Sequence, residues 1–175
     1  DGAGGRLTGQ VRDGATPANA RLWLAADSLP VGTLIADINK FSNNVMAQQV
    51  LLTLGLVRNG GLRVAPEDAR DALKQWLRER LGESLDGVVL DNGSGLSRNE
   101  RITARALSQI LQDAWNGPYA AEFTSSMPLV GMDGTMRKRL RNTAMRGQAH
   151  IKTGTLNNVR AIAGFSRDRN GKTWA

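Results

Sequence analysis

Two short runs, far apart in the chain, carry side chains suited to one polar reaction site. The first is Ser42-Asn43-Asn44 and the second is Lys152-Thr153-Gly154-Thr155. The first brings a hydroxyl and a carboxamide, the second an ammonium, two hydroxyls and a residue with no side chain. Ala149-His150-Ile151 leads into Lys152 and reads as the start of a strand. A strand with Lys152 and Thr153 beside the bare backbone of Gly154 lets a flat, carboxylate-bearing ligand lie against it. His150 is the single histidine. Strand alternation puts it on the face of Lys152, where it reads as a strand histidine beside the site and not as a catalytic base.

Both runs need elements to hold them. Residues Val31 to Leu56 carry Leu34, Ile35, Ile38, Phe41, Val45, Met46, Val50 and Leu51 at helical spacing, with Asp37, Asn39 and Lys40 on the other face. Ser42-Asn43-Asn44 interrupts that pattern with residues that bond their own backbone, which predicts a helix, a turn and a second helix. A helix starts at Pro66-Glu67-Asp68 and runs to Leu81, with Gly82 as its cap. Gly87 to Leu90 reads as a short strand opening into Asp91-Asn92-Gly93-Ser94-Gly95-Leu96-Ser97. Further helices are expected over Thr103 to Trp115 and Tyr119 to Ser125. Ile151–Thr155, Val159–Phe165 and Lys172–Ala175 read as successive antiparallel strands joined at Asn157-Asn158 and Arg169-Asn170-Gly171.

Composition excludes several chemistries. The 175 residues are 41% hydrophobic and 22% charged, as in an ordinary globular domain. With no cysteine and one histidine, thiol catalysis and Cys- or His-rich metal sites are excluded, and no cofactor is implied. No window of 18 apolar residues suggests a membrane span, and no secretory leader pattern is present. The net charge is +7. The basic residues are scattered, apart from a cluster at Arg137-Lys138-Arg139-Arg141, and no aromatics interleave with it. That disfavours nucleic acid and leaves an acidic polymer such as cell-wall material as a more natural partner.

Ser-x-Asn followed by Lys-Thr-Gly resembles two of the three motifs of the penicillin-recognising serine enzymes, the third being Ser-x-x-Lys. Asp91-Asn92-Gly93-Ser94-Gly95-Leu96-Ser97-Arg98 and Pro128-Leu129-Val130-Gly131-Met132-Asp133-Gly134-Thr135 narrow the likeness. They resemble stretches of the class C low-molecular-mass penicillin-binding proteins, the peptidase S13-like D-alanyl-D-alanine carboxypeptidases and endopeptidases. The resemblance covers about Leu22 to Ala175. It implies an α/β, β-lactamase-like domain with an antiparallel sheet, helices on both faces and Lys-Thr-Gly on an edge strand opposite the Ser-x-Asn turn. It also implies an extracytoplasmic or periplasmic location, with peptidoglycan stem peptides and β-lactam antibiotics as partners.

In that family a serine attacks the carbonyl between two D-alanines, and a lysine one helical turn later takes its proton. By resemblance, Ser42 passes a proton to the departing amine and Asn44 bonds the substrate amide. Lys152 and Thr153 meet the substrate carboxylate, and Gly154 leaves room for the peptide. The N–H of Thr155 supplies half of an oxyanion hole.

No Ser-x-x-Lys is present. Three residues before Lys40, Lys74, Lys138, Lys152 and Lys172 stand Asp37, Asp71, Thr135, Ala149 and Arg169. Thr135-Met136-Arg137-Lys138 comes nearest, but it follows Ser-x-Asn and falls where the family has a loop. Residues 1–22 are therefore expected to be the tail of an inserted domain or a linker. Residues 23–175 are expected to be the C-terminal part of a catalytic domain whose nucleophile lies upstream, inactive by itself. The alternative is a non-catalytic peptidoglycan-binding module that has lost its nucleophile.

Overall fold

The computed structural model describes residues 4–6, 8–10, 12–61 and 63–175, so part of the stretch 1–22 lies outside the described residues. From 12 to 30 the described chain forms no helix or strand, and Trp23 is 96% exposed. Among the described residues five helices follow: α1 Val31–Phe41, α2 Asn44–Arg58, α3 Pro66–Leu81, α4 Ala104–Asn116 and α5 Ala120–Ser126. Three strands close the order: β1 Ala149–Leu156, β2 Val159–Arg167 and β3 Thr173–Trp174.

The break between α1 and α2 is where the sequence places it, but it is tighter. Ser42 turns left-handed at φ 57°, and the Asn43 carboxamide oxygen accepts the Met46 N–H at 3.1 Å. Asn44 is already the first residue of α2. The short strand expected at Gly87–Leu90 does not form. Val89 makes one isolated antiparallel bridge to Arg101, while Val88 and Leu90 pack with Leu77, Leu85 and Ala106 of the helical layer. Burial against helices uses the apolar run, and no ladder remains for it to join.

The sheet is antiparallel in the order β1-β2-β3. Lys152 pairs with Ala163 and His150 with Phe165, so these four share one face. On that face Phe165 packs with Leu111 of α4 and Met127, and Trp115 stacks on it at 5.1 Å between ring centroids. Ala149 and Ile151 point the other way and meet Val130 and Met136, the latter on a 3-10 turn at Gly134–Met136. This is the expected α/β architecture, with both faces covered near the start of β1. Farther along the hairpin Ile162 is 66% exposed.

The outer edge of β1 is occupied only at its beginning. The Ile151 N–H donates to the Pro128 carbonyl at 2.8 Å, and the Val130 N–H donates to the Ala149 carbonyl at 2.9 Å. Backbone groups alternate along a strand, so Thr153 and Thr155 present theirs to the same outer side, beyond the reach of that strap. Gly164 keeps the hairpin closed: at φ +151° a Cβ there would lie 2.0 Å from the His150 carbonyl oxygen. Gly164→Ala is expected to cost about 2–4 kcal/mol and lower the thermal midpoint by many degrees. A melting curve matching the parent's would count against that role.

Candidate active site

A cleft of about 600 Å³ opens between the α1–α2 turn and the exposed edge of β1. Ser42 and Asn44 line one side, Lys152, Thr153, Gly154 and Thr155 the other, with Gly93 to Leu96 along the rim. All six expected site residues are brought to one place. The Lys152 ammonium donates to Ser42 Oγ at 3.0 Å and to the Thr153 carbonyl at 2.7 Å. Burial pushes the Lys152 pKa down from the ordinary lysine value. A cation loosened in this way, in contact with a hydroxyl, is suited to exchanging a proton with it.

Ser42 is in contact with Lys152 because its backbone turns where serine rarely does. A left-handed non-glycine residue costs about 1 kcal/mol, and Ser42 stands between two rigid helices that hold it there. Asn44 is fixed differently. Its amide nitrogen donates to the Ser94 carbonyl at 2.6 Å, leaving its carbonyl oxygen for a ligand N–H. Ser94 is in turn set by Asn92, whose Oδ1 accepts from the Ser94 N–H at 2.9 Å and hydroxyl at 2.6 Å. The Ser97 hydroxyl closes the same loop onto Asp91. Gly93 permits the approach: a Cβ there would sit 2.8 Å from the Leu51 side chain.

The structure corrects the reading of α1. Asn39 and Lys40, placed on the face away from the apolar stripe by periodicity, instead point into the protein. Asn39 donates to Ser126 Oγ at 2.8 Å. Lys40 donates to the Met127 carbonyl at 2.8 Å and to Asp133 Oδ2 at 2.6 Å. The other Asp133 oxygen accepts the Leu129 N–H at 2.7 Å. Gly134 lies so close that a Cβ would meet the Lys40 carbonyl oxygen at 2.6 Å. Burial works to raise the Asp133 pKa, but the Lys40 ammonium and the Leu129 amide outweigh it and hold the carboxyl below its usual range.

Residues 127–134 thus join α1, two positions before Ser42, to β1, one position before Lys152. No periodicity marked Lys40 for this task; the Asp133-Gly134 pair inside a glycine-rich stretch was the available signal. His150 lies on the Lys152 face, with Nδ1 3.4 Å from the Met127 carbonyl, which fits a histidine beside the site. Thr135 lines the cleft and Lys138 a separate pocket, so they do not form a nucleophile–base pair. Among the described residues no Asp or Glu lines the cleft, and its charged residues are Lys152 and Arg139. Among the described residues no cluster of His, Cys, Asp and Glu could hold a metal ion.

Residues 1–175 match the D-Ala-D-Ala carboxypeptidase 3 (S13) family throughout. A D-alanyl-D-alanine carboxypeptidase of Actinomadura sp. (strain R39) is 32% identical over 170 residues, covering 91% of this chain and 30% of that protein. Penicillin-sensitive carboxypeptidase A of Dictyostelium discoideum is 28% identical over 125 residues, 70% of this chain and 24% of its own length. The chain thus spans less than a third of those relatives. In fold it is similar to penicillin binding protein 4 from Haemophilus influenzae, with a TM-score of 0.76 at 23% identity. That likeness covers 82% of this chain and 32% of the other.

The Lys40–Asp133 contact has a measurable signature. Lys40→Met leaves a part-buried carboxylate unpaired and is expected to cost about 1–2 kcal/mol, reduced from a fully buried pair because Asp133 is half exposed. A folded-state carboxyl pKa below the unfolded value of about 3.9 adds stability that is present above that value and lost as pH falls through the folded one. Asp133→Asn should therefore unfold with a shallower dependence on acid below about pH 4 than the parent. Identical acid-unfolding slopes for the two would contradict the ion pair.

Proposed function

This chain belongs to the D-Ala-D-Ala carboxypeptidase 3 (S13) family, and on that premise we propose that it is part of a serine-type DD-peptidase acting on cell-wall peptides. The observation that carries the reading is the Lys152–Ser42 contact, made across a cleft whose far wall is an unpaired strand edge. Residues 23–175 then form the substrate-recognising part of the catalytic domain, and residues 1–22 lead into it from a different unit. The location is extracytoplasmic, where such peptides are found.

The substrate peptide lies along β1 as an added strand, with the missing side chain of Gly154 giving it room. Lys152 and Thr153 meet its terminal carboxylate. The N–H of Thr155 is one donor to the oxygen of the scissile carbonyl, and the carbonyl oxygen of Asn44 accepts a substrate N–H. An attacking serine Oγ bonds to the carbonyl carbon, the C–N bond breaks, and the leaving amine takes a proton delivered through Ser42. Lys152 resupplies Ser42 along their hydrogen bond. The attacking serine and its base belong to a Ser-x-x-Lys that these 175 residues do not contain. β-Lactams, which mimic the D-Ala-D-Ala unit, occupy the same cleft; penicillin binding protein 4 of Haemophilus influenzae has been seen complexed with a β-lactam.

Two measurements test this. Incubated with a fluorescent penicillin, the 175-residue chain should keep no label after denaturation, whereas a longer form with a Ser-x-x-Lys should be labelled. In that longer form Lys152→Ala should slow labelling by about tenfold through loss of a charge-assisted contact. Reversible binding of a D-Ala-D-Ala peptide should weaken as pH rises through the lowered Lys152 pKa, sooner than an ordinary lysine would lose its charge. A labelled band at the mass of this chain, or full labelling of the Lys152→Ala form, would refute the assignment.

A further inference from the structure

The basic run 137–141 does not face one way. Arg139 lines the cleft, while Arg137, Lys138 and Arg141 line a second pocket of about 390 Å³ together with Arg146, Gly131 and Met132. The residue that separates Arg139 from Arg141 is Leu140, whose φ of 53° is a rare conformation for a γ-branched side chain. Arg137 and Lys138 before it and Arg141 after it share the second pocket, while Arg139 alone turns to the cleft.

The pocket is built, not merely charged. Its floor is Gly131 at φ +71°, where a Cβ would lie 3.0 Å from Arg146 Cγ and 3.3 Å from Arg141 Cα. The Arg146 stem therefore rests on bare backbone, and its Nε lies 3.3 Å from Met132 Sδ. Among the described residues no acid lines the pocket and none of the four cations makes an ion pair. Four cations of one sign repel one another unless an anion joins them. Three of them are arginines, whose planar forks match carboxylates two bonds at a time.

We propose that this pocket is a second recognition site that binds free carboxylates of an acidic peptide. This rests on the DD-peptidase reading for the identity of the occupant: a cell-wall peptide whose terminal carboxylate meets Lys152 in the cleft and whose further carboxylates would meet Arg137, Lys138, Arg141 and Arg146. Arg139, in the cleft wall, adds a second cation to the Lys152 site. The substrate class is therefore multiply acidic peptides, and neutral peptides ending in D-Ala-D-Ala bind less well.

Binding to the purified chain at about 50 mM salt separates the two sites, since screening is weak there. One probe is a tetraglutamate peptide; the other ends in D-Ala-D-Ala and has all its remaining acids amidated. The Arg137→Gln/Arg141→Gln/Arg146→Gln variant should lose about tenfold in affinity for tetraglutamate and change little for the amidated peptide. Lys152→Ala should do the reverse. Circular dichroism checks the fold, and Lys138→Gln/Arg141→Gln gives a smaller loss in the same direction if the triple variant unfolds. No tetraglutamate binding by the parent chain, or equal binding by both pocket variants, overturns the site. Tripolyphosphate or duplex DNA bound in its place, with the same dependence on the arginines, overturns the carboxylate assignment. Tetraglutamate bound without any binding of the amidated peptide would sink the cleft reading and the substrate link while leaving the pocket standing.

Discussion

The Lys40 ammonium, held between the Asp133 carboxylate and the Met127 carbonyl, joins pieces of chain that must stay in register for the cleft to exist. Ser42 and Lys152 are separated by most of the protein, and each stands on an element with its own packing partners. One strap, residues 127–134, touches both. It is bonded to α1 through Lys40 and to β1 through Pro128 and Val130, while Asn39 of α1 bonds Ser126 just before it. The Ser42–Lys152 distance is therefore set by backbone and charge two residues from one group and one residue from the other. The charge-assisted hydrogen bonds of Lys40 suit this purpose, because their strength depends steeply on distance and angle.

Around that clamp the site accepts local costs. Ser42 occupies a left-handed backbone conformation and Lys152 gives up part of its hydration. Both costs are offset by the elements that hold the two residues in place. Val130, Pro128 and Ser126, all on the strap or at its start, are among the most buried side chains described. Rigidity is concentrated where the two walls meet, and the free edge at Thr153 to Thr155 is left open. Two helices, a strap and a strand edge thus act as one frame for three small polar groups.

Charge is distributed as sharply as packing. Among the described residues the cleft carries two cations and no acid. Within the run 137–141 adjacent basic residues go to different sites, Lys138 to the second pocket and Arg139 to the cleft. A net charge of +7 gives no hint of this division, because it counts residues and not directions.

The sequence by itself determined the kinds of element and the chemistry of the two walls. Periodicity placed α1, α2, α3 and α4, and the polar interruption at Ser42-Asn43 and the β-branched run into Lys152-Thr153-Gly154 were both legible. They are legible because helix breaks, caps and strand alternation depend on neighbours within a few residues. Gly87 to Leu90 was misread, since an apolar run reads alike whether it pairs as a strand or packs against helices. Lys40 and Asn39 were misplaced because helical phase tells which residues share a face, not what another part of the chain brings to it. Only the tertiary structure decided that Lys40 meets Asp133, that Asn44 spends its amide on Ser94, and that Ser42 and Lys152 come within hydrogen-bonding distance. Each of these is a contact between distant residues, fixed by packing and desolvation that no local pattern encodes.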